Sequence, residues 1–211
     1  MPPSTPIARS KTAALARILD SVPKGYKRYT SGTVSAFKAN ALANKFHARY
    51  GIGCSPAQRL VRKSKGLANA ILVMYWPDSA VDVQWLLLAT DGTGLESEKL
   101  RLVDEKPRLS WLGYELARHS AQGRTSWTWR RPREEMAELH ALVAHQANAK
   151  HLKALEETLA GIARQPGFSG VRAQSWTLCQ EARRRGYSGQ LPHLFFLQKV
   201  SHGERLPLAR S

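Results

Sequence analysis

Acidic side chains are almost missing from the first third of this chain. Residues 1–65 contain one, Asp20, against thirteen Lys or Arg; residues 66–211 contain fifteen acids against nineteen bases. Solubility alone does not require charge to be segregated in this way. A field so concentrated raises the local concentration of polyanions, above all nucleic acid. Cysteine is nearly as scarce. Cys54 and Cys179 stand far apart and form no Cys-x-x-Cys, so neither a disulfide scaffold nor a zinc spacing is present, and both read as thiols of a reduced compartment. Long apolar runs are also absent. The longest, Ala70-Ile71-Leu72-Val73-Met74-Tyr75-Trp76, is far too short to span a bilayer, and no apolar signal segment opens the sequence. The stretch up to Arg17 is basic and Ala/Ser-rich, a composition common to transit peptides and nucleic-acid-binding arms. The arm is preferred, the expected location is the cytoplasm, and no membrane partner is expected.

What is there suits a folded protein. Apolar residues make up 43% of the 211 positions, and the six Trp argue against wholesale disorder. Residues 1–22 read as a Pro/Ser-rich tail followed by a short helix from Lys11. Residues 23–66 form a basic, mainly helical region. Phe37, Ala41, Leu42 and Phe46 recur at helical spacing over 34–50. Gly51-Ile52-Gly53 ends that helix, and Ser55 then Pro56 offer the cap and first turn of a second one. Residues 67–131 read as strands: Ala70–Trp76, Val81–Thr90, a mixed stretch at 95–104, and a hairpin around Ala121-Gln122-Gly123. Residues 132–211 read as helical, with Leu194–Val200 as a closing strand. The expected class is α+β: a basic helical N-terminal region, an antiparallel sheet of about four strands, and C-terminal helices packed on it.

Several constellations carry chemistry, each with a plainer alternative. The helices at 34–50 and 56–65 have helix-turn-helix spacing. In that motif Gln58 and Arg59 read base edges while Arg62, Lys63 and Lys65 hold phosphates, and Lys45 and Arg49 of the first helix are further nucleic-acid-binding candidates. Two packed helices with a solvated basic face would show the same pattern. Lys24, Lys27 and Arg28 alternate with Tyr26 and Tyr29, an arrangement in which the rings stack on unpaired bases and the cations follow the backbone. The same tyrosines equally suit packing on the domain. Asp104-Glu105-Lys106, with Asp91 or Asp78 upstream, matches the acid and Asp-x-Lys elements of a Mg²⁺-dependent nuclease. Short acid/Lys strings also occur in turns, and Pro107 follows at once. Asp91-Gly92-Thr93-Gly94 lacks the later Gly and Lys of a phosphate loop and reads as a turn. Arg183-Arg184-Arg185 closes a helix, where its dipole favours cations. No cofactor and no metal are expected.

The order Tyr50-Gly51-Ile52, a basic helix, Ala70–Tyr75, Trp85-Leu86-Leu87-Leu88-Ala89-Thr90-Asp91-Gly92, Gly113-Tyr114-Glu115-Leu116 and Trp127-Thr128-Trp129-Arg130 is similar to proteins encoded on proteobacterial plasmids and integrative conjugative elements. The similarity spans residues 30 to 200. It implies a setting, the maintenance or transfer of mobile DNA, and other mobile-element proteins as partners. It assigns no residue roles. The resulting expectation is a non-catalytic nucleic-acid-binding accessory protein, with DNA ahead of RNA as partner. The alternatives are the nuclease, or a basic subunit of a larger protein or ribonucleoprotein assembly.

Overall fold

The computed structural model describes residues 5–78, 80–121, 123–196 and 204–205. The chain is a mixed helix-and-strand protein that divides into two compact units: 1–109 with 200–211, and 110–199. The division falls inside the stretch read as one sheet, and the strands belong to two sheets rather than one.

In the first unit the order is β1 (Pro6–Ala8), α1 (Lys11–Ser21), β2 (Arg28–Ser35), α2 (Ala36–Tyr50), α3 (Pro56–Ser64), β3 (Ala70–Tyr75), β4 (Asp82–Ala89) and β5 (Arg101–Leu102), with β9 (Glu204–Arg205) returning to it. Across the sheet the strands run β5-β2-β4-β3-β1-β9. β3 and β4 are antiparallel, as their turn at Pro77-Asp78 implies, but β1 runs parallel to β3. Parallel strands need a crossover connection; α1, α2 and α3 lie along it, so the sheet is mixed and no meander.

Two parts of the N-terminal reading are corrected. Residues 5–8 are not tail: Thr5, Ile7 and Ala8 are buried, and Ile7 pairs with Met74. The first four residues of that tail lie outside the described residues. Arg28–Ser35, within the region read as mainly helical, is a strand lying between β4 and β5, and the helix expected from residue 34 begins at Ala36. The strand buries only Tyr29, so its hydrophobic signal is faint. At Gly32 the Trp85 indole lies where a side chain would be, 2.8 Å from an added Cβ, and that close approach explains a glycine inside a strand.

Strand alternation splits the sheet into two faces. Ala70, Leu72, Met74, Val83, Leu87 and Ala89 pack with Ala39, Ala43, Phe46 and Tyr50 of α2 in one core. Phe46 meets Trp85 edge-on at 5.3 Å. Ile71 and Val73 point to the other face, and α1 packs on β3, burying Ala14, Leu15 and Ile18.

The second unit holds β6 (Ser110–Trp111), β7 (Tyr114–Ala121), β8 (Arg124–Arg130), α4 (Arg133–Asn148), α5 (Leu152–Ala163) and α6 (Ser169–Arg184). Its sheet is the antiparallel series β6-β7-β8. The hairpin is in the expected place, and α6 packs on it within this unit. Gly170 lets α6 approach β8: a Cβ there would stand 2.5 Å from the Trp129 carbonyl. Thr128 Oγ1 accepts from the Gly170 N–H at 2.9 Å, capping α6 from the sheet. Leu155, Leu159, Ile162, Leu178 and Cys179 form the helical core. Residues 194–196 are not strand, and the remainder of the expected closing strand, 197–200, lies outside the described residues. Cys54 is half-buried and Cys179 buried, both as free thiols.

Candidate nucleic-acid interface

The first unit carries an open cleft of about 850 Å³ between the end of α1, α3 and one end of the sheet. Three segments build its walls. Arg17, Asp20, Ser21 and Lys24 come from α1 and the turn after it. Pro56, Arg59, Leu60 and Lys63 come from α3. Asn69, Ile71, Thr90 and Asp91 come from the sheet, and Tyr26 completes the lining.

Local sequence explains each wall. Arg17, Asp20, Ser21 and Lys24 fall at i, i+3, i+4 and i+7, one face of a helical turn. The opposite face is apolar and seats α1 on the sheet. Ser10 caps α1, accepting from the Ala13 N–H at 3.2 Å. α3 begins with a complete capping box: Gln58 N–H donates to Ser55 Oγ at 3.3 Å, and Ser55 N–H donates to Gln58 Oε1 at 2.8 Å. Pro56 occupies the first turn, as its fixed φ favours.

α3 itself buries none of its nine residues. Polar ties hold it in place instead. Asn69 Nδ2 donates to the Arg59 carbonyl at 3.2 Å, and the Arg62 guanidinium donates to the Ala68 carbonyl at 2.8 and 3.3 Å. Asn69 is anchored in turn, its N–H donating to Thr90 Oγ1 at 3.0 Å. The guanidinium of Arg62 also covers Gly51, whose φ of +62° ends α2 in the left-handed region. Leu60 and Val61 remain exposed at 69% and 52%.

This geometry revises the helix-turn-helix expectation. A recognition helix of that motif is seated by an apolar face, and α3 has no buried apolar residue. Gln58 is committed to the cap rather than presented as a reader. Arg62 is a structural tie. Arg59 and Lys63 do face a common cleft, together with Lys24. Lys65 is exposed at the end of α3. Lys45 and Arg49 are exposed on α2, which covers the face of the sheet opposite to Ile71, so the cleft does not include them. Tyr26 and Tyr29 are both buried at 8% exposure, which removes them as stacking platforms for bases. Lys27 is exposed, whereas Arg28 is paired with Asp91, Nε to Oδ1, at 2.8 Å.

The nuclease residues are not assembled. Asp104-Glu105-Lys106 lies in the turn after the two-residue strand β5, not on a strand. The Lys106-Pro107 peptide is cis. Asp91 belongs to the Arg28 pair. Among the described residues no three His, Cys, Asp or Glu side chains come together as a metal-binding group. Arg183, Arg184 and Arg185 are engaged locally: Arg183 with the Tyr187 carbonyl, and the other two with Glu181. Their hydrogen bonds hold the Glu181 carboxyl below the usual carboxylate range, Arg185 contributing most.

Sequence reasoning missed Arg17, Leu60, Asn69 and Thr90 as cleft residues. For Arg17 a signal was present, since it shares the i, i+7 face with Lys24. For Asn69 and Thr90 there was none, because their place depends on how two strands and α3 meet. No helix among the described residues is long and apolar enough to cross a membrane. No protein-family model, curated protein or solved structure matches the chain.

Proposed function

We propose that this chain binds nucleic acid through the α1–α3 cleft, as an accessory protein in the replication, partition or transfer of a mobile element. One observation carries the reading. Arg17 and Lys24 arrive from one segment, Arg59 and Lys63 from another some forty residues on, and all four line one open cleft whose acids are Asp20 and Asp91. Asp91 already has Arg28 as a partner. Cations from separate segments, converging on solvent, suit a ligand that carries its negative charges in series.

The cleft's chemistry is that of backbone recognition. Lys and Arg neutralise phosphates, and the release of counterions from the nucleic acid supplies the free energy. Such interactions position a ligand without reading its sequence. Arg59 is fixed at its backbone by Asn69 while its side chain faces the cleft, so the sheet sets the height of α3 above the floor. Leu60 adds an apolar edge beside the cations, suited to a sugar or base face.

The test is a salt titration of the full chain against duplex DNA, single-stranded DNA and RNA. Affinity falls steeply with salt in the wild type. Replacing Arg17, Lys24, Arg59 and Lys63 by Ala lowers the slope of log K against log salt by about 1 for each phosphate no longer neutralised. Replacing Lys38, Lys45 and Arg49, on the other side of the sheet, changes it much less. Equal slopes for wild type and the cleft variant would sink the proposal.

A further inference from the structure

α3 presents two rows of side chains on its wall of the cleft. Arg59 and Lys63, four residues apart, form a cationic row; Pro56 and Leu60, also four apart, form an apolar one beside it. α3 contains no acid. Leu60 is 69% exposed on a helix that buries none of its residues, so it contributes nothing to the packing of the fold. Helix formation does not ask for it either, since Ala at the same position is the better helix former. The cations of the cleft have their reason in backbone phosphates. The aliphatic side chain beside them needs a different one.

Between the walls, polar side chains are engaged by the protein itself. Asn69 Nδ2 donates to the Arg59 carbonyl at 3.2 Å, Thr90 Oγ1 to the Asp91 carbonyl at 3.2 Å and Ser21 Oγ to the Arg17 carbonyl at 2.8 Å. These bonds shape the cleft before any ligand arrives, and they spend donors that base edges would otherwise use. Ile71, half-buried on β3, adds apolar lining. A ligand entering the cleft therefore meets cations from two segments, Arg17 and Lys24 from one and Arg59 and Lys63 from the other, with apolar surface next to them.

Surface chemistry and size select the form of the nucleic acid. A duplex shows phosphates, sugars and base edges on its outside and keeps its apolar base faces stacked within. An unpaired strand exposes both at once, phosphates along its backbone and base faces beside them. The paired rows of α3 match the second pattern and not the first. A cleft of about 850 Å³ has the volume of a cube about 9.5 Å on edge, whereas the major groove of B-form DNA alone is about 12 Å wide. A duplex therefore meets only the rim, and a single strand enters. Four cations serve about four phosphates, the low end of the roughly 4–16 nucleotides that folds binding single strands cover.

We propose that the cleft takes an unpaired strand of nucleic acid in preference to a duplex, with Arg17, Lys24, Arg59 and Lys63 on its phosphates and Leu60 against its base faces. The proposal rests on the cleft being the nucleic-acid site and adds which form enters it. The experiment titrates the full chain, over a series of salt concentrations, with a labelled oligonucleotide of mixed sequence and about 12 nucleotides, as a DNA strand, as its duplex, and in the same two forms as RNA. The wild type should bind the strand at least about tenfold more tightly than the duplex, with a salt slope of about 3, from four phosphates at about 0.7 each. The sugar series with the tighter strand identifies the natural ligand. Leu60→Ala should lower strand affinity about fivefold and leave both the salt slope and duplex affinity as they were, because the lost contact carries no charge. Leu60→Trp should raise strand affinity about fivefold by stacking. Both changes are at an exposed position, so the thermal midpoints should match the wild type, and an effect of opposite sign in the Trp variant separates a lost contact from a damaged fold. Equal affinity for strand and duplex, with both lost when Arg17, Lys24, Arg59 and Lys63 are replaced by Ala, overturns the preference and leaves the cleft as the site. Wild-type strand affinity in both Leu60 variants, or equal loss on strand and duplex in Leu60→Ala, also overturns it. A four-cation variant that binds every ligand as the wild type does overturns the cleft and this proposal together.

Discussion

Arg131 is the side chain whose surroundings differ most from what its type suggests. It is 2% exposed. Its guanidinium donates to the Val171 carbonyl at 3.3 Å, the Ile162 carbonyl at 3.2 Å and Ser175 Oγ at 3.0 Å, with Glu135 3.7 Å from Nε. Gln174 brackets its backbone, donating to the carbonyl and accepting from the N–H. Burial lowers the Arg131 pKa from its ordinary value, and the hydrogen bonds compensate the buried charge. Arg131→Met removes the charge but also takes a donor from the Ile162 and Val171 carbonyls and from Ser175 Oγ in a buried site. We expect it to cost about 3 kcal/mol, read as a lower urea midpoint. His47 offers a second test. Its Nε2 lies 2.6 Å from Thr5 Oγ1, and burial holds the imidazole below its ordinary range, the nearby Ile52 backbone opposing this more weakly. As pH falls below about 6.5 the unfolded chain takes up a proton that the folded one resists, so stability falls with it. Above that pH the contribution is fully present. Urea midpoints at pH 7 and pH 5 should therefore differ, and His47→Gln should reduce the difference.

At the scale of elements, α3 and α6 show two ways of fixing a helix. α3 has no buried face, so its cap and its polar ties carry its placement. Ser55→Ala removes one arm of the capping box and should cost about 1 kcal/mol. Because α3 carries Arg59 and Lys63, the same change should also weaken nucleic-acid binding, measurable in the salt titration. α6 is fixed by close approach at Gly170. Gly170→Ala forces a Cβ against the Trp129 carbonyl, a backbone atom that cannot swing away, and should cost about 1–3 kcal/mol in urea unfolding. The strands divide by the same logic. β3 and β4 were legible in the sequence because both bury long apolar runs. β2 was not, because its residues are polar and a neighbouring indole fills the space at Gly32. β1 was hidden by its brevity and by the Pro and Ser around it, although Ile7 sits in the core.

For the whole molecule, the excess of cations ahead of Gly66 is distributed rather than gathered in one patch. Four line the cleft, Lys45 and Arg49 lie on the other side of the sheet, and three are held by protein partners. Arg9 donates to the Trp76 carbonyl and lies 3.6 Å from Asp78, Arg28 pairs with Asp91, and Arg62 is tied to Ala68. The salt dependence of binding should therefore reflect the cleft cations, not the full count of thirteen. A slope well above that expected for the cleft alone would show that the α2 cations join in.

The sequence by itself determined the segregation of charge, the mixture of helix and strand, the caps of α3 and the β7–β8 hairpin. Each depends on charge summed along the chain or on neighbours within a few residues, and such quantities need no fold. Only the tertiary structure decided that Arg17 and Lys24 meet Arg59 and Lys63, that Arg62 and Gln58 are structural, and that Arg131 is a core residue. Those outcomes depend on which carbonyls and faces the folded chain leaves unsatisfied at a given point. They are set by segments tens of residues apart coming together, where the competition between hydrogen bonding, burial and solvent is resolved.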